Sequence, residues 1–139
     1  MARRIYITEQ DRQRLAESIE VLRESLDKRE LPHVRQLEAE IKRAEIILNP
    51  QDVPGDVITM RSRVRLREVR GGTTQELTLQ YPAEADPQQG AISVLAALGT
   101  AMLGYRVGDK FEVVLPKGKR EFQVEAILYQ PEAAGDYNL

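Results

Sequence analysis

Apolar residues recur every third or fourth position through the first third of the chain and every second position after it. Leu15, Ile19, Leu22 and Leu26 are spaced 4, 3, 4, and Val34, Leu37, Ile41, Ala44 and Leu48 are spaced 3, 4, 3, 4. Alternating threes and fours place each set along one narrow stripe of a helix, the seam of a coiled coil. Pro32 divides the two stripes, and so short a connection folds the second helix back on the first. The pattern therefore predicts an antiparallel helical hairpin over residues 8–48, a rod rather than a globule. A rod has no pocket for chemistry, so its expected work is to reach, dock or plug. Thr8 is the expected N-cap, with Asp11 three residues on. The first helix is expected to run to about Asp27, roughly 30 Å long. Lys28 to Pro32 forms the tip, and the second helix ends near Asn49-Pro50. Arg4 to Ile7 is a short extended lead-in.

After the junction Gln51–Gly55 the period changes to two. Met60, Ser62, Val64 and Leu66 share one face of a strand expected over Val57–Val69, and Arg61, Arg63, Arg65 and Arg67 share the other. Gly71-Gly72 turns the chain into a second strand, Glu76 to Tyr81. A polar loop, Pro82 to Gly90, precedes the short extended Ile92-Ser93-Val94. Leu95 to Leu103 is a small apolar helix or turn closed by Gly104. Phe111 to Leu115 and Glu121 to Tyr129 are strands joined through Pro116-Lys117-Gly118-Lys119. The fold class is α+β: a helical hairpin over 1–51, then an antiparallel sheet of four or five strands with one short helix over 52–139.

Composition narrows the setting. With 42% hydrophobic and 30% charged residues the 139-residue chain suits a soluble fold. It has no cysteine, hence no disulfide framework, and no apolar run near the ~20 residues that span a membrane. The N-terminus lacks the apolar core of a secretory signal. A cytoplasmic location follows as the expectation, with no membrane partner. The net charge of −2 argues against a general polyanion binder. Residues 1–48 carry ten basic and ten acidic side chains, as suits an exposed, highly charged helical pair.

Candidate chemistry is sparse. There is no thiol nucleophile or soft-metal site, and the single His33, beside the hairpin tip, has no nucleophilic serine near it in sequence. Gly99 and Gly104 have phosphate-loop spacing, but Tyr105-Arg106 stands where Lys and Ser or Thr are required, so packing and a helix stop explain them better. The four arginines on one strand face can grip an acidic partner or a phosphate backbone. They can equally be a solvated face that guards a sheet edge against pairing. Aromatic residues do not interleave with them, which argues against single-strand stacking and independent sequence-specific nucleic-acid binding. Asp27 and Glu30 at the tip can share a hard cation such as magnesium, but their spacing is common on charged helices and no resident metal or other cofactor is implied.

Specific residues carry a family resemblance over about 53–139. Ile92-Ser93-Val94, the apolar turn Leu98 to Gly104, Gly108-Asp109, Leu115-Pro116-Lys117-Gly118 and Glu121-Phe122-Gln123-Val124 resemble the C-terminal domain of the bacterial transcript-cleavage (Gre) factors. Asp56 to Met60 with Ser62 and Val64, and the tail Tyr129 to Tyr137, resemble a short branch of that family, the regulators of nucleoside diphosphate kinase. Over the hairpin the resemblance is one of architecture. It implies an FKBP-like C-terminal fold docked on RNA polymerase at the rim of its secondary channel, with the hairpin pointing in. Alignment places Ala96, Ala97 and Leu98 where the family presents its polymerase-contacting loop, although plain core packing explains them nearly as well. Asp27 and Glu30 match the spacing of the family's acidic tip pair, which helps hold a catalytic magnesium in the polymerase. The flanking Lys28-Arg29 and Leu31-Pro32 do not match, and this hairpin is shorter. A carboxylate must come within ~2.0–2.1 Å of magnesium to serve it, and each missing helical turn removes 5.4 Å.

The expectation is thus a non-enzymatic regulator that docks on polymerase and competes with Gre factors without strong transcript cleavage, most simply as a monomer. The alternatives are a cleavage stimulator acting through Asp27 and Glu30, and a direct regulator of nucleoside diphosphate kinase, which no residue here suggests by itself. Prolyl isomerase activity does not follow from an FKBP-like fold, and the chain is poor in the aromatics such a pocket needs, with two Phe, five Tyr and no Trp.

Overall fold

Thr8 does cap the first helix, its hydroxyl accepting from the Asp11 amide at 3.1 Å. The computed structural model describes residues 5–25, 31–47, 49–115 and 117–136. In it strand β1 (Tyr6–Thr8) leads into helix α1 (Glu9–Leu22), which tightens into a 3-10 turn at Arg23–Ser25. Helix α2 (Leu31–Lys42) follows, with Pro32 in its first turn where a missing amide proton costs nothing. Leu15, Ile19, Val34 and Leu37 are buried to within 3% exposure, and Arg23 of the turn after α1 pairs with Glu38 of α2 at 2.7 Å.

Two features of this region differ from the sequence expectation. Helix α2 stops at Lys42, and Glu45–Ile47 forms strand β2, pairing parallel with β1 in the register Tyr6 to Glu45, Ile7 to Ile46 and Thr8 to Ile47. Ile46 and Ile47 are β-branched and extend readily. The two strands are joined through α1 and α2, the kind of crossover connection that parallel pairing needs. Second, the seam does not close on itself as a free rod. Leu15, Ile19, Val34 and Leu37 share one buried cluster with Val64, Leu66, Leu79, Met102 and Phe122. A two-helix layer leaves part of each apolar stripe uncovered, and the sheet region covers it.

Five strands build that sheet, in the order β5-β4-β3-β7-β6: β3 (Arg63–Glu68), β4 (Thr74–Gln80), β5 (Ala91–Ser93), β6 (Lys110–Leu115) and β7 (Gly118–Tyr129). All pairings are antiparallel except β4–β5, which is parallel. Met60, Ser62, Val64 and Leu66 are all at most 2% exposed, as the alternation predicted. The strand itself begins only at Arg63. Before it the chain makes a tight turn in which Ser62 Oγ accepts from the Thr59 amide at 2.9 Å and Arg61 adopts a left-handed φ of 66°. The helices α3 (Ala97–Met102) and α4 (Pro131–Ala134) are short.

Polar contacts lock the parts together. The Tyr81 hydroxyl donates to Asp11 Oδ1 at 2.6 Å, joining the strand end to α1. Arg106 donates to both Asp56 oxygens at 2.9 and 3.0 Å and to the Tyr6 hydroxyl at 3.3 Å, over whose ring it sits. Gln130 donates to the carbonyls of Pro54 and Val57, and the Thr59 hydroxyl donates to buried Glu132 at 2.6 Å.

Candidate docking surface

Helix α3 is placed by a short-range network that its sequence dictates. Ser93 Oγ accepts from the Leu95 amide at 3.0 Å, the Ser93 carbonyl from the Ala96 amide at 3.0 Å, and the Thr100 hydroxyl donates to the Val94 carbonyl at 2.6 Å. Gly99 has to be glycine here: an added Cβ would lie 2.0 Å from the Ser93 carbonyl oxygen. Packing, not phosphate binding, accounts for it. Gly104, with φ 89°, supplies the left-handed turn after the helix.

This arrangement leaves Ala96 exposed and Ala97 and Leu98 half-buried. Leu98 borders a groove of about 500 Å³ with Leu115 and Phe122. Glu68, Lys117 and Arg120 give the groove charged members, and Arg120 pairs with Glu68 at 2.8 Å. Apolar side chains framed by charged ones are the anatomy of a protein-docking surface. The sequence singled out Leu98. It left Leu115, Phe122 and Arg120 unassigned, although all lie in or beside the hairpin motif that carries the resemblance; only the fold of β6 on β7 brings them to α3.

The four arginines are divided. Arg63, Arg65 and Arg67 share the outer face of β3, but β3 is the middle strand of the sheet, so the edge-guarding reading does not hold. Arg63 and Arg65 reach Glu76 at 2.9 and 3.2 Å, Arg65 lies 3.9 Å from Glu125, and Arg67 donates to Gln123 at 3.1 Å. Hydrogen bonds from Arg63 and Arg65 hold the Glu76 carboxyl below its ordinary pKa. Arg61, in the turn, instead pairs with Glu84 and lies over the Tyr81 ring at 5.2 Å.

Asp27 and Glu30 lie outside the described residues. His33 sits half-buried in the first turn of α2. Among the described residues no group of three or more His, Cys, Asp or Glu is placed to hold a metal ion, and no helix is long and apolar enough to cross a membrane.

Residues 53–129 match the family model for the C-terminal part of the transcription elongation factor GreA/GreB, and residues 3–47 match the Rnk N-terminus. The chain belongs to the GreA/GreB family, in its short Rnk branch. It is 42% identical to the regulator of nucleoside diphosphate kinase of Escherichia coli (strain K12) over 125 residues, covering 89% of this chain and 91% of that one. Against the transcription elongation factor GreA of Solidesulfovibrio magneticus the identity is 32% over 104 residues, 74% of this chain and 63% of the relative. Among solved structures, the GreA/GreB elongation factor of Nitrosomonas europaea superposes with a TM-score of 0.76 at 35% identity, covering 91% of this chain and all of that one. The fold is therefore that of the family, helices followed by a sheet, and the groove at Leu98 lies within the part that the GreA/GreB model matches.

Proposed function

We propose that the protein is a Gre-like regulator of transcription elongation that binds RNA polymerase through the groove beside Leu98. The observation that carries this is the groove itself: Leu98, Leu115 and Phe122 among charged side chains, in the segment shared with named elongation factors. The sheet region is read as an FKBP-like domain that docks at the rim of the secondary channel. The helical pair is read as a coiled-coil hairpin directed into it, competing with Gre factors for the site. Cleavage is expected to be weak, because the tip pair Asp27 and Glu30 lacks the family's flanks and sits on a shorter hairpin. The protein is read as a cytoplasmic monomer and not as an enzyme; the relatives are named as a regulator and as elongation factors.

Binding of the purified protein to core RNA polymerase, with a Gre factor as competitor, tests this. Saturable, competitor-sensitive binding is expected, with loss in a folded Leu98→Asp variant. Absence of binding at micromolar concentration would remove the proposal, and undiminished binding by the variant would remove the surface. Stimulated cleavage in a stalled complex, abolished by Asp27→Ala or Glu30→Ala, would replace docking alone with cleavage assistance. The name of the Escherichia coli relative favours one further reading, direct action on nucleoside diphosphate kinase. A complex between the two purified proteins, or altered kinase turnover, would support it.

A further inference from the structure

A second cavity, of about 640 Å³, opens between α1 and the outer face of the sheet, lined by Arg14, Arg61, Arg63, Gln80, Glu84 and Tyr129 among others. It shares no lining residue with the groove at Leu98. Its size suits a small ligand, and three guanidinium groups face one carboxylate among its lining side chains.

Two observations bear on what it can hold. Gln80 Oε1 is buried and has no hydrogen-bond partner among the described residues. Gln80 itself is half-buried, so this oxygen is an acceptor that a donor entering the cavity can satisfy. Arg61 is the single non-glycine residue among those described with a positive φ, 66°. An arginine side chain adds strain in that conformation where glycine would add none. Its guanidinium is nonetheless fixed, lying over the Tyr81 ring, paired with Glu84 and only 17% exposed. A cation held by a strained backbone and an acceptor without a donor thus line the same cavity, an arrangement suited to a ligand.

We propose that this cavity binds a phosphorylated small molecule of about mononucleotide size. The phosphate lies on Arg61 and Arg63, with Arg14 closing over it from α1, and an N–H or O–H of the ligand body donates to Gln80 Oε1. Guanidinium groups match phosphate oxygens in geometry and remain charged at any working pH. A phosphate also competes well with Glu84 and Glu76 for these cations, since it brings more charge and more acceptor oxygens than a carboxylate. Because Arg14 belongs to the hairpin and the other cations to the sheet region, the bound ligand ties the two together.

The test uses the full chain with ADP, inorganic pyrophosphate and a short single-stranded RNA as probes, followed by calorimetry and thermal unfolding. ADP is expected to saturate the protein and to raise its Tm by mass action. Arg61→Gly, which relieves the backbone, is expected to keep the unliganded Tm near that of the parent while weakening ADP about tenfold or more. Arg14→Gln gives the same loss through a separate element, in case the first variant fails to fold. Gln80→Leu is expected to weaken ADP but not pyrophosphate, which has no body to donate. No saturation by ADP at low millimolar concentration would overturn the proposal. So would unchanged affinity in both arginine variants, or binding of the RNA through these residues with none of ADP.

Discussion

Strand β3 lies between hydrogen-bonded neighbours on both sides, and its inward Val64 and Leu66 are fully buried within the sheet region. The helices α1 and α2 have no such enclosure. Their inward Leu15, Ile19, Val34 and Leu37 reach the same degree of burial by sharing a cluster with the sheet region. The strands are thus held to one another by pairing as well as packing, whereas the helices are held to them through the shared cluster. The sheet supplies its own ladder and its own stacked aromatics, Tyr105 on Phe111 at 4.9 Å with Phe122 beyond. Helices α1 and α2 instead bury their apolar side chains against the sheet region.

The largest effects should expose that asymmetry. Leu66→Ala is expected to cost about 3–4 kcal/mol and to unfold both regions together in a denaturant titration followed by hydrogen exchange. Leu15→Ala should cost a similar amount but release α1 and α2 first, leaving amides of β3 and β7 protected. Simultaneous loss of protection in both regions of the Leu15 variant would show that neither depends on the other more. Next in size is Gly99→Ala. Its new Cβ meets the Ser93 carbonyl oxygen, so α3 must shift, at a cost of about 1–3 kcal/mol, and the groove at Leu98 should bind its partner more weakly. Unchanged thermal unfolding would mean that the turn before α3 yields freely.

Tyr81→Phe removes the hydroxyl that holds Asp11 and leaves the ring in place under Arg61. Burial, then the charge of Asp11 and the hydrogen bond to it, raise the Tyr81 hydroxyl pKa well above its ordinary value, so the hydroxyl donates at every practical pH. A loss of about 1–2 kcal/mol is expected, with faster amide exchange in α1 but not in β3. The smallest effect concerns Glu132. Burial raises its carboxyl pKa above the ordinary value, partly opposed by the Thr59 hydrogen bond. A group raised in the folded state contributes stability that is full below its unfolded pKa and is lost as pH rises through its folded pKa. Glu132→Gln keeps an acceptor for Thr59 and removes the charge. Its Tm should lie about 1–2 °C above the parent at neutral pH and show less pH dependence across that window. An identical pH profile in the two proteins would show that Glu132 does not titrate in this way.

Period and capping made much of the fold legible. The buried positions Leu15, Ile19, Val34 and Leu37, the Thr8 cap and the alternation from Met60 to Leu66 all follow from spacing, because each depends on local backbone geometry. Strand β2 was hidden because Ala44 and Leu48 continue the helical period past Lys42; only pairing with Tyr6–Thr8, far away in sequence, turns Glu45–Ile47 into a strand. The fate of the arginines was hidden for the same reason. Period two puts Arg61 with Arg63, but the Thr59–Ser62 turn ends the strand before it, and the partners that meet the others, Glu76, Glu125 and Gln123, come from β4 and β7. Leu98 was legible through a resemblance, whereas Gln80 reads as an ordinary outward strand residue until the Arg14 side of the cavity is in view.

The parallel pairing of β1 with β2 makes the helical pair a detour that returns to its starting point. Tyr6 and Glu45 lie opposite each other, so the chain leaves and re-enters the sheet region at one doorway. Residues added in equal number to both helices leave that doorway unmoved. Seven residues added to each helix would lengthen it by about 10 Å, and the same number removed would shorten it by as much. Helix length is thus separable from the paired strands at the base, and a change in one need not disturb the other.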